Sequence, residues 1–75
     1  KSALPRKMKE LIAVAVAHTT QCPYCIEGHV KAAKEEGATD QEIAEAIFVA
    51  AALRAGGAFA HSTVAMGVLK REEGK

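Results

Sequence analysis

Apolar residues recur at helical spacing over most of the chain. After Pro5, charged residues give way to the apolar run LIAVAVA at residues 11–17, which ends near Thr20. Pro5 is expected at the first helical position, where its missing N–H costs nothing. Because the run is apolar on all sides, we expect this half of the helix to be buried on most sides. A buried strand is the alternative, since a short apolar run does not distinguish the two.

The second predicted helix has clear start and stop signals. Cys22 stands at the cap position, Pro23 follows at the first helical position, and Gly37 marks the end. Two further helices are predicted downstream. A capping box at Thr39-Asp40-Gln41-Glu42 starts the third, which continues to Ala55, and Gly56-Gly57 is expected to end it. The fourth follows from Ala58 to about Arg71, so the prediction is an all-α protein of about four helices.

Length and composition predict one small domain, residues 1–75, that associates with itself. Of the 75 residues, 49% are hydrophobic but only 4% are aromatic, and much of the apolar content is alanine. A chain this short with small apolar side chains buries little area, so a homo-oligomer is expected. The formal net charge of +1 gives no reason to expect a nucleic-acid partner or an anionic membrane surface.

The cellular compartment predicted from the sequence is the cytoplasm. Each uninterrupted apolar run is shorter than the roughly 20 residues that cross a bilayer, so no membrane association is expected. No secretory signal pattern opens the chain. Two cysteines separated by two residues cannot link distant segments, which favours thiols kept reduced for chemistry over a secreted disulfide framework.

Candidate chemistry lies in the segment QCPYCIEGHVK, residues 21–31. On a helix that begins at Pro23, Cys22, Cys25 and His29 fall within about 60° of one another. The first helical turn favours a thiolate, because its backbone N–H groups and the helix dipole stabilise negative charge. His29 can accept or relay the proton of Cys25. Glu27 is expected on the far side as solvated surface.

Several alternatives share the Cys-x-x-Cys spacing. A structural zinc site could use Cys22, Cys25, His29 and His18, and two inert helix-start thiols would give the same spacing. Covalent haem attachment needs a histidine directly after the second cysteine, where this chain has Ile26. The tetrapeptide CPYC also occurs in glutaredoxins, but that fold requires more strands and a cis-proline for which no proline is available here.

A wider pattern consists of Glu10, eleven intervening residues, then Cys22, Cys25 and His29. With the segment GATDQEIAEAIFVAAALRAGGA that follows, it resembles the alkylhydroperoxidase D-like branch of the carboxymuconolactone decarboxylase superfamily, over residues 4–69. The decarboxylase branch characteristically lacks the cysteine pair. The resemblance therefore implies thiol chemistry, in an all-helical protomer that assembles into trimers or hexamers.

The resemblance also implies roles for the four residues. The cysteine that matches Cys25 is oxidised by peroxide, the one that matches Cys22 resolves it as a disulfide and exchanges with a partner, and Glu10 and His29 form a proton relay. The implied substrate is a hydroperoxide or a protein disulfide. The implied electron donor is a dithiol, of lipoyl type in some relatives, and no cofactor or metal is required.

Two further residues are candidates for supporting roles, Tyr24 and His18. Tyr24 stands where the best-known peroxidases of this kind have a histidine, and tyrosine does not titrate near neutral pH. Disulfide reductase activity alone, or a helical scaffold without activity, are therefore alternatives to peroxidase activity. His18 near the end of the first helix and His61 are otherwise expected to be structural or surface residues.

Overall fold

The computed structural model describes residues 2–75, and these residues form helices without any strand. The helices are α1 (Arg6–Thr20), α2 (Pro23–Glu35), α3 (Asp40–Ala60) and α4 (Ser62–Glu73). The predicted all-α class and the number of about four helices are confirmed. The strand alternative for residues 11–17 is wrong, because these residues lie inside α1.

The first helix ends at Thr20 as predicted, but its start differs from the prediction. Pro5 is the residue before the helix, with extended backbone angles, and its carbonyl accepts the N–H of Lys9 at 3.1 Å. At the other end Gln21 adopts the left-handed conformation, with φ 59° and ψ 50°. This conformation costs a residue other than glycine roughly 1–2 kcal/mol. The backbone N–H groups of Gln21 and Cys22 both donate to the carbonyl of Ala17, which holds the turn.

The second helix begins and ends as the sequence predicts. Cys22 is the N-cap, and its Sγ accepts the backbone N–H of Cys25 at 3.2 Å. Pro23 occupies the first turn, and Gly37 lies after the helix with φ 92°, a conformation that glycine adopts without steric cost. The short connection to α3 therefore needs no other special residue.

The third helix starts with the predicted capping box. Thr39 Oγ1 accepts the backbone N–H of Glu42 at 3.0 Å, and Glu42 Oε1 accepts the N–H of Thr39 at 2.9 Å. This backbone hydrogen bond, together with the ammonium of Lys7 at 3.1 Å, lowers the pKa of the Glu42 carboxyl. The pKa of Asp40 is also lowered, because Lys34 Nζ donates a 2.7 Å hydrogen bond to its carboxylate.

The prediction that Gly56-Gly57 ends α3 is wrong. The helix passes through both glycines to Ala60 and is interrupted only at His61, after which α4 begins at Ser62. Neither glycine has a positive φ. Two glycines lower helix propensity by roughly 1 kcal/mol each, but they do not change the backbone conformation by themselves. Ala55 and Ala58, on either side of the pair, have the highest helix propensity of any residue type.

The core is small and lies where α1, α2 and the first half of α3 meet. Its buried members are Val14, Ala33, Ala38 and Ile43. Leu11, Val30 and Ile47 are partly buried against them. The expectation that the second half of α1 is buried on most sides is wrong, because the side chains of Ile12 and Val16 are 47% and 51% exposed. One face of α1 packs against α2 and α3, and the opposite face is open.

We call residues 6–50 the compact end and residues 51–75 the C-terminal arm. None of residues 51–75 is buried, and α4 packs only against α3 within residues 2–75. The arm gives the chain its elongated extents of 59 × 26 × 20 Å. Its exposed apolar side chains include Leu53, Phe59, Val64, Met66 and Leu69. The protomer therefore leaves an apolar helical surface uncovered.

The stretch Asp40–Glu73 changes one expectation from the sequence. It spans 34 residues with only the interruption at His61, and an 18-residue window in it has a mean hydropathy of 1.6, with 11% of the window buried. By length and composition this stretch is sufficient to cross a bilayer, whereas the uninterrupted apolar runs are each too short. A single such helix is weak evidence for a membrane span, since helices that pack in protein cores meet the same criterion.

Candidate active site

Glu10 and His29 face each other across the contact between α1 and α2. His29 Nδ1 lies 2.7 Å from Glu10 Oε1, although the two residues are 19 positions apart in sequence. The Glu10 side chain is 23% exposed and that of His29 is 45% exposed. A proton on Nδ1 is donated to the carboxylate, which leaves Nε2 of a neutral imidazole as an acceptor. The carboxylate therefore orients the ring and selects its tautomer.

The two cysteines form the start of α2. They are joined by a disulfide, with the Cα atoms 5.3 Å apart, which is within the usual range for a disulfide. Cys22 Sγ also accepts the backbone N–H of Cys25, so this sulfur is the cap of the helix. A thiolate at this position would accept the same N–H as a charge-assisted hydrogen bond. The start of α2 therefore places the two cysteines at disulfide distance and offers a backbone N–H donor to an ionised Cys22 sulfur.

A cavity of about 510 Å³ opens between the first turns of α2 and the middle of α1. The residues that line it are Glu10, Tyr24, Cys25, Glu27, Gly28, His29, Lys31 and Ala32. Of the two cysteines, Cys25 belongs to this lining and Cys22 does not. One thiol therefore shares a solvent-open cavity with the imidazole–carboxylate pair, while the other lies beside it at the helix start.

This arrangement can perform a limited set of reactions. A thiol at Cys25 has a base within its own cavity, and a second cysteine is placed to close a disulfide with it. The open cavity admits a small molecule or a protruding group of a partner. Among residues 2–75, no group of three or more histidine, cysteine or acidic side chains could hold a metal ion.

The remaining residues named from the sequence lie at the edge of the site or outside it. Tyr24 is at the rim of the cavity with 88% of its side chain exposed. His18 Nδ1 lies 2.8 Å from the carbonyl of Val14, within its own helix, and His61 Nδ1 makes the same kind of contact with Gly57 at 2.7 Å. Neither histidine lines the cavity. The catalytic roles of the site residues stay predictions.

Three cavity residues were not singled out from the sequence, namely Gly28, Lys31 and Ala32. Helical spacing from Cys25 would have found two of them, since residues 25, 28, 29 and 32 share one face of a helix. The ammonium of Lys31 donates a 3.2 Å hydrogen bond to the carboxylate of Glu27, which orients the lysine side chain. Glu27 is exposed as expected. It also lines the rim of the cavity, although the sequence predicts that it lies on the far side of the helix.

The fold and the site together define a small all-helical protein with a cysteine pair at a helix start. The chain belongs to the carboxymuconolactone decarboxylase family, whose model matches residues 1–68. That range contains all four residues of the pattern described above, so the resemblance found in the sequence is confirmed for the family.

A related protein of Paracoccus denitrificans carries the description "Uncharacterized protein 4 in cox locus". It is 61% identical to this chain over 72 residues, which cover 96% of this chain. The chain spans 65% of the length of that relative. The similarity extends across the site and the C-terminal arm, so both belong to the part that the two proteins share.

Proposed function

We propose that this protein is a thiol oxidoreductase of the alkylhydroperoxidase D-like branch, which reduces a hydroperoxide or the disulfide of a partner protein. The observation that carries the proposal is the 2.7 Å contact between Glu10 and His29 in the cavity that Cys25 lines. An inert pair of thiols requires neither a basic imidazole nor a carboxylate that orients that imidazole. Family membership and the Cys22–Cys25 disulfide are compatible with the proposal at a coarser level.

The peroxidase reaction begins with the reduced pair. Nε2 of His29 takes the proton of the Cys25 thiol, directly or through a water molecule. The thiolate attacks one oxygen of the hydroperoxide, so an S–O bond forms while the O–O bond breaks. The leaving alkoxide receives the proton from His29 and departs as an alcohol. Cys25 is then a sulfenic acid, oxidised by two electrons.

The second step uses Cys22. Its sulfur attacks the sulfenic sulfur of Cys25, a disulfide forms, and the hydroxyl leaves with a proton as water. A dithiol donor, for which a lipoyl-type group is the candidate, then attacks Cys22 and forms a mixed disulfide. The donor's second thiol displaces Cys22, which leaves the protein reduced and the donor oxidised. No bound cofactor takes part in this cycle.

Glu10 acts through His29. Its carboxylate holds the ring with Nδ1 protonated, so that Nε2 is the basic nitrogen, and it stabilises the imidazolium that forms when His29 accepts a proton. Because Glu10 lies on α1 and His29 on α2, this pair depends on the packing of the two helices. The proposed chemistry is therefore available only in the folded protomer.

A second candidate is disulfide reductase activity alone. The feature that favours it is Tyr24, which lies at the rim with most of its side chain exposed and supplies a phenol where the best-known peroxidases of this kind have an imidazole. In this case the thiolate of Cys25 or of Cys22 attacks one sulfur of the partner's disulfide and releases the other sulfur as a thiolate. The remaining cysteine then attacks the mixed disulfide, which forms the Cys22–Cys25 disulfide and releases the second thiol of the partner. The same four residues carry both reactions.

A trapping experiment tests the proposal and the assignment of the two cysteines. The reduced protein and its Cys22→Ser and Cys25→Ser variants are treated with one equivalent of hydrogen peroxide in the presence of dimedone, which labels sulfenic acids. Mass spectrometry should show an intramolecular disulfide in the parent and a dimedone adduct on Cys25 in the Cys22→Ser variant. An equal adduct on Cys22 in the Cys25→Ser variant would reject Cys25 as the attacking thiol.

The disulfide reductase alternative is separated by a parallel measurement. Initial rates are compared with a hydroperoxide and with a protein disulfide, each with a dithiol donor in excess. A reductase without peroxidase activity reduces the protein disulfide and consumes hydroperoxide no faster than the donor alone. A scaffold without activity does neither, which would reject both functions.

Self-association in the cytoplasm completes the proposal. The exposed apolar side chains of the C-terminal arm support a homo-oligomer, trimer or hexamer, in which copies of this chain cover one another. Sedimentation of the parent should give an oligomer, and Leu69→Glu should shift it toward monomer. Leu4→Glu, a matched change at an exposed leucine just before the compact end, should not. Co-sedimentation of the parent with lipid vesicles would instead favour a membrane as the cover of this surface.

A further inference from the structure

The end of α1 is held by a residue from a distant part of the chain. The guanidinium of Arg54, on α3, donates a 2.7 Å hydrogen bond from Nη1 to the backbone carbonyl of Thr19. These residues are 35 positions apart. The last carbonyls of a helix have no partner within it, so a cation that donates to one of them satisfies both the hydrogen-bonding requirement and the helix dipole.

The turn beyond this contact is the one that delivers Cys22. Gln21, between Thr20 and Cys22, is the only residue other than glycine with a positive φ among residues 2–75. The backbone N–H of Cys22 donates to the carbonyl of Ala17 at 3.1 Å, so the position of this cysteine depends on the last turn of α1. If that turn unwinds, the turn at Gln21 relaxes and Cys22 moves relative to Cys25.

We infer that Arg54 is a positioning residue for the dithiol: by holding the last turn of α1 through Thr19, it keeps Cys22 beside Cys25. This inference rests on the proposed redox function and adds to it a residue outside the cavity. Arginine suits the role because its long side chain presents a planar group with several N–H donors. The contact also links the C-terminal arm, which contains Arg54, to the end of the site where disulfide exchange occurs.

The experiment compares the dithiol–disulfide equilibrium of the parent chain with that of Arg54→Met. Each protein is equilibrated with reduced and oxidised glutathione, in which one protein dithiol and one glutathione disulfide exchange for one protein disulfide and two glutathione thiols. Acid quenching, alkylation and mass spectrometry give the fraction of each form. Loss of one charge-assisted hydrogen bond at an exposed position should move the equilibrium about threefold to tenfold toward the dithiol.

A second readout follows the turn itself. Hydrogen exchange of the Cys22 backbone amide should be faster by a similar factor in Arg54→Met, while the amide of Ala33 in the core of α2 should exchange as in the parent. Arg54→Lys keeps the charge and the reach and should recover part of both effects. Arg71→Met is the matched control, since Arg71 lies in α4, which packs only against α3 within residues 2–75.

The outcomes separate the inference from the function on which it rests. An Arg54→Met equilibrium equal to that of Arg71→Met would overturn the inference, even if the Cys22 amide exchanges faster, because the contact would then be structural only. A parent that forms no disulfide with glutathione would reject the redox function itself. If Arg54→Met is too unstable to measure, Arg54→Gln, which keeps N–H donors without the charge, takes its place with the same expected direction.

Discussion

The compact end and the C-terminal arm have similar residue compositions but bury their side chains to different extents. All the buried side chains lie at or before Ala50, whereas residues 51–75 contain none. Both regions are rich in alanine and aliphatic residues. The difference lies in what surrounds them, since three helical segments meet at one end and a single helical arm extends from the other. Composition therefore does not determine burial in this chain.

Interactions between polar groups follow the same division in part. At the compact end, three side-chain pairs join different elements, namely Glu10 with His29, Lys7 with Glu42, and Lys34 with Asp40, while Lys31 and Glu27 pair within α2. In the arm, the pair Lys75–Glu72 joins neighbours in sequence, while Arg54 donates a hydrogen bond to Thr19 at the compact end. Long-range polar contacts fix the relative positions of helices, which the proposed site requires. In the proposed function, catalysis belongs to the compact end and association to the arm.

The sharpest test of this division is chemical. Cys25→Ser should reduce peroxide or disulfide turnover to the rate of the donor alone, because it removes the attacking sulfur. Met66→Ala in the arm should retain most of the activity. Steady-state rates with excess dithiol donor measure both. If Met66→Ala lost as much activity as Cys25→Ser, the arm would be part of the site and the division would be wrong.

The next largest effect is expected at Glu10. Replacing it with glutamine keeps a hydrogen-bonding side chain but removes the charge that stabilises the imidazolium. Turnover should fall by about 10- to 100-fold, at or below the lower end of general acid–base contributions, because His29 itself remains. The pH dependence of the rate should change together with its magnitude. Glu45→Gln, an exposed change on α3, serves as the control. A Glu10→Gln variant with unchanged rate and pH profile would remove the proton relay from the proposal.

Packing at the two ends can be compared with one substitution. Val14 is fully buried and Val64 is 65% exposed. Val14→Ala should lower the free energy of unfolding by about 2 kcal/mol, because it removes apolar contacts and leaves a cavity. Val64→Ala should change it by less than about 0.5 kcal/mol in the dissociated protomer. Urea unfolding at low protein concentration measures both. A larger effect of Val64→Ala there would show that the arm folds against the protomer itself.

The smallest expected effect concerns acid stability. The folded-state pKa of Glu42 is lowered, so its contribution to stability is present above the pKa of the unfolded chain and is lost as the pH falls through the lowered value. Urea midpoints should therefore fall less steeply in acid for Glu42→Gln than for the parent. Glu72→Gln in the arm should follow the parent. The effect should be small because both Glu42 and its partner Lys7 are partly exposed.

Local signals in the sequence predicted the local structure well. The capping box at Thr39 and Glu42 and the cap at Cys22 depend on residues three positions apart, and both form as expected. The interruption of α3 was misplaced because glycine lowers helix propensity without specifying the conformation that ends a helix. His61, where the break lies, carries no strong stop signal.

Properties that depend on distant residues were harder to predict. The exposure of Ile12 and Val16 depends on how few elements pack against α1, which a run of apolar letters does not reveal. The approach of Glu10 to His29 could be expected only through the resemblance to a known family, because helical spacing relates residues within one helix. The contact between Arg54 and Thr19 had no local signal, since its two partners are 35 positions apart.

The role of the Cys22 sulfur as a helix cap determines which replacement is informative at that position. Serine is a preferred N-cap residue, so its hydroxyl can accept the amide that the sulfur accepts now. Alanine removes the acceptor as well as the thiol, and a loss of activity in that variant would combine two causes. Cys22→Ser therefore removes the reactive sulfur but keeps an acceptor that caps the helix.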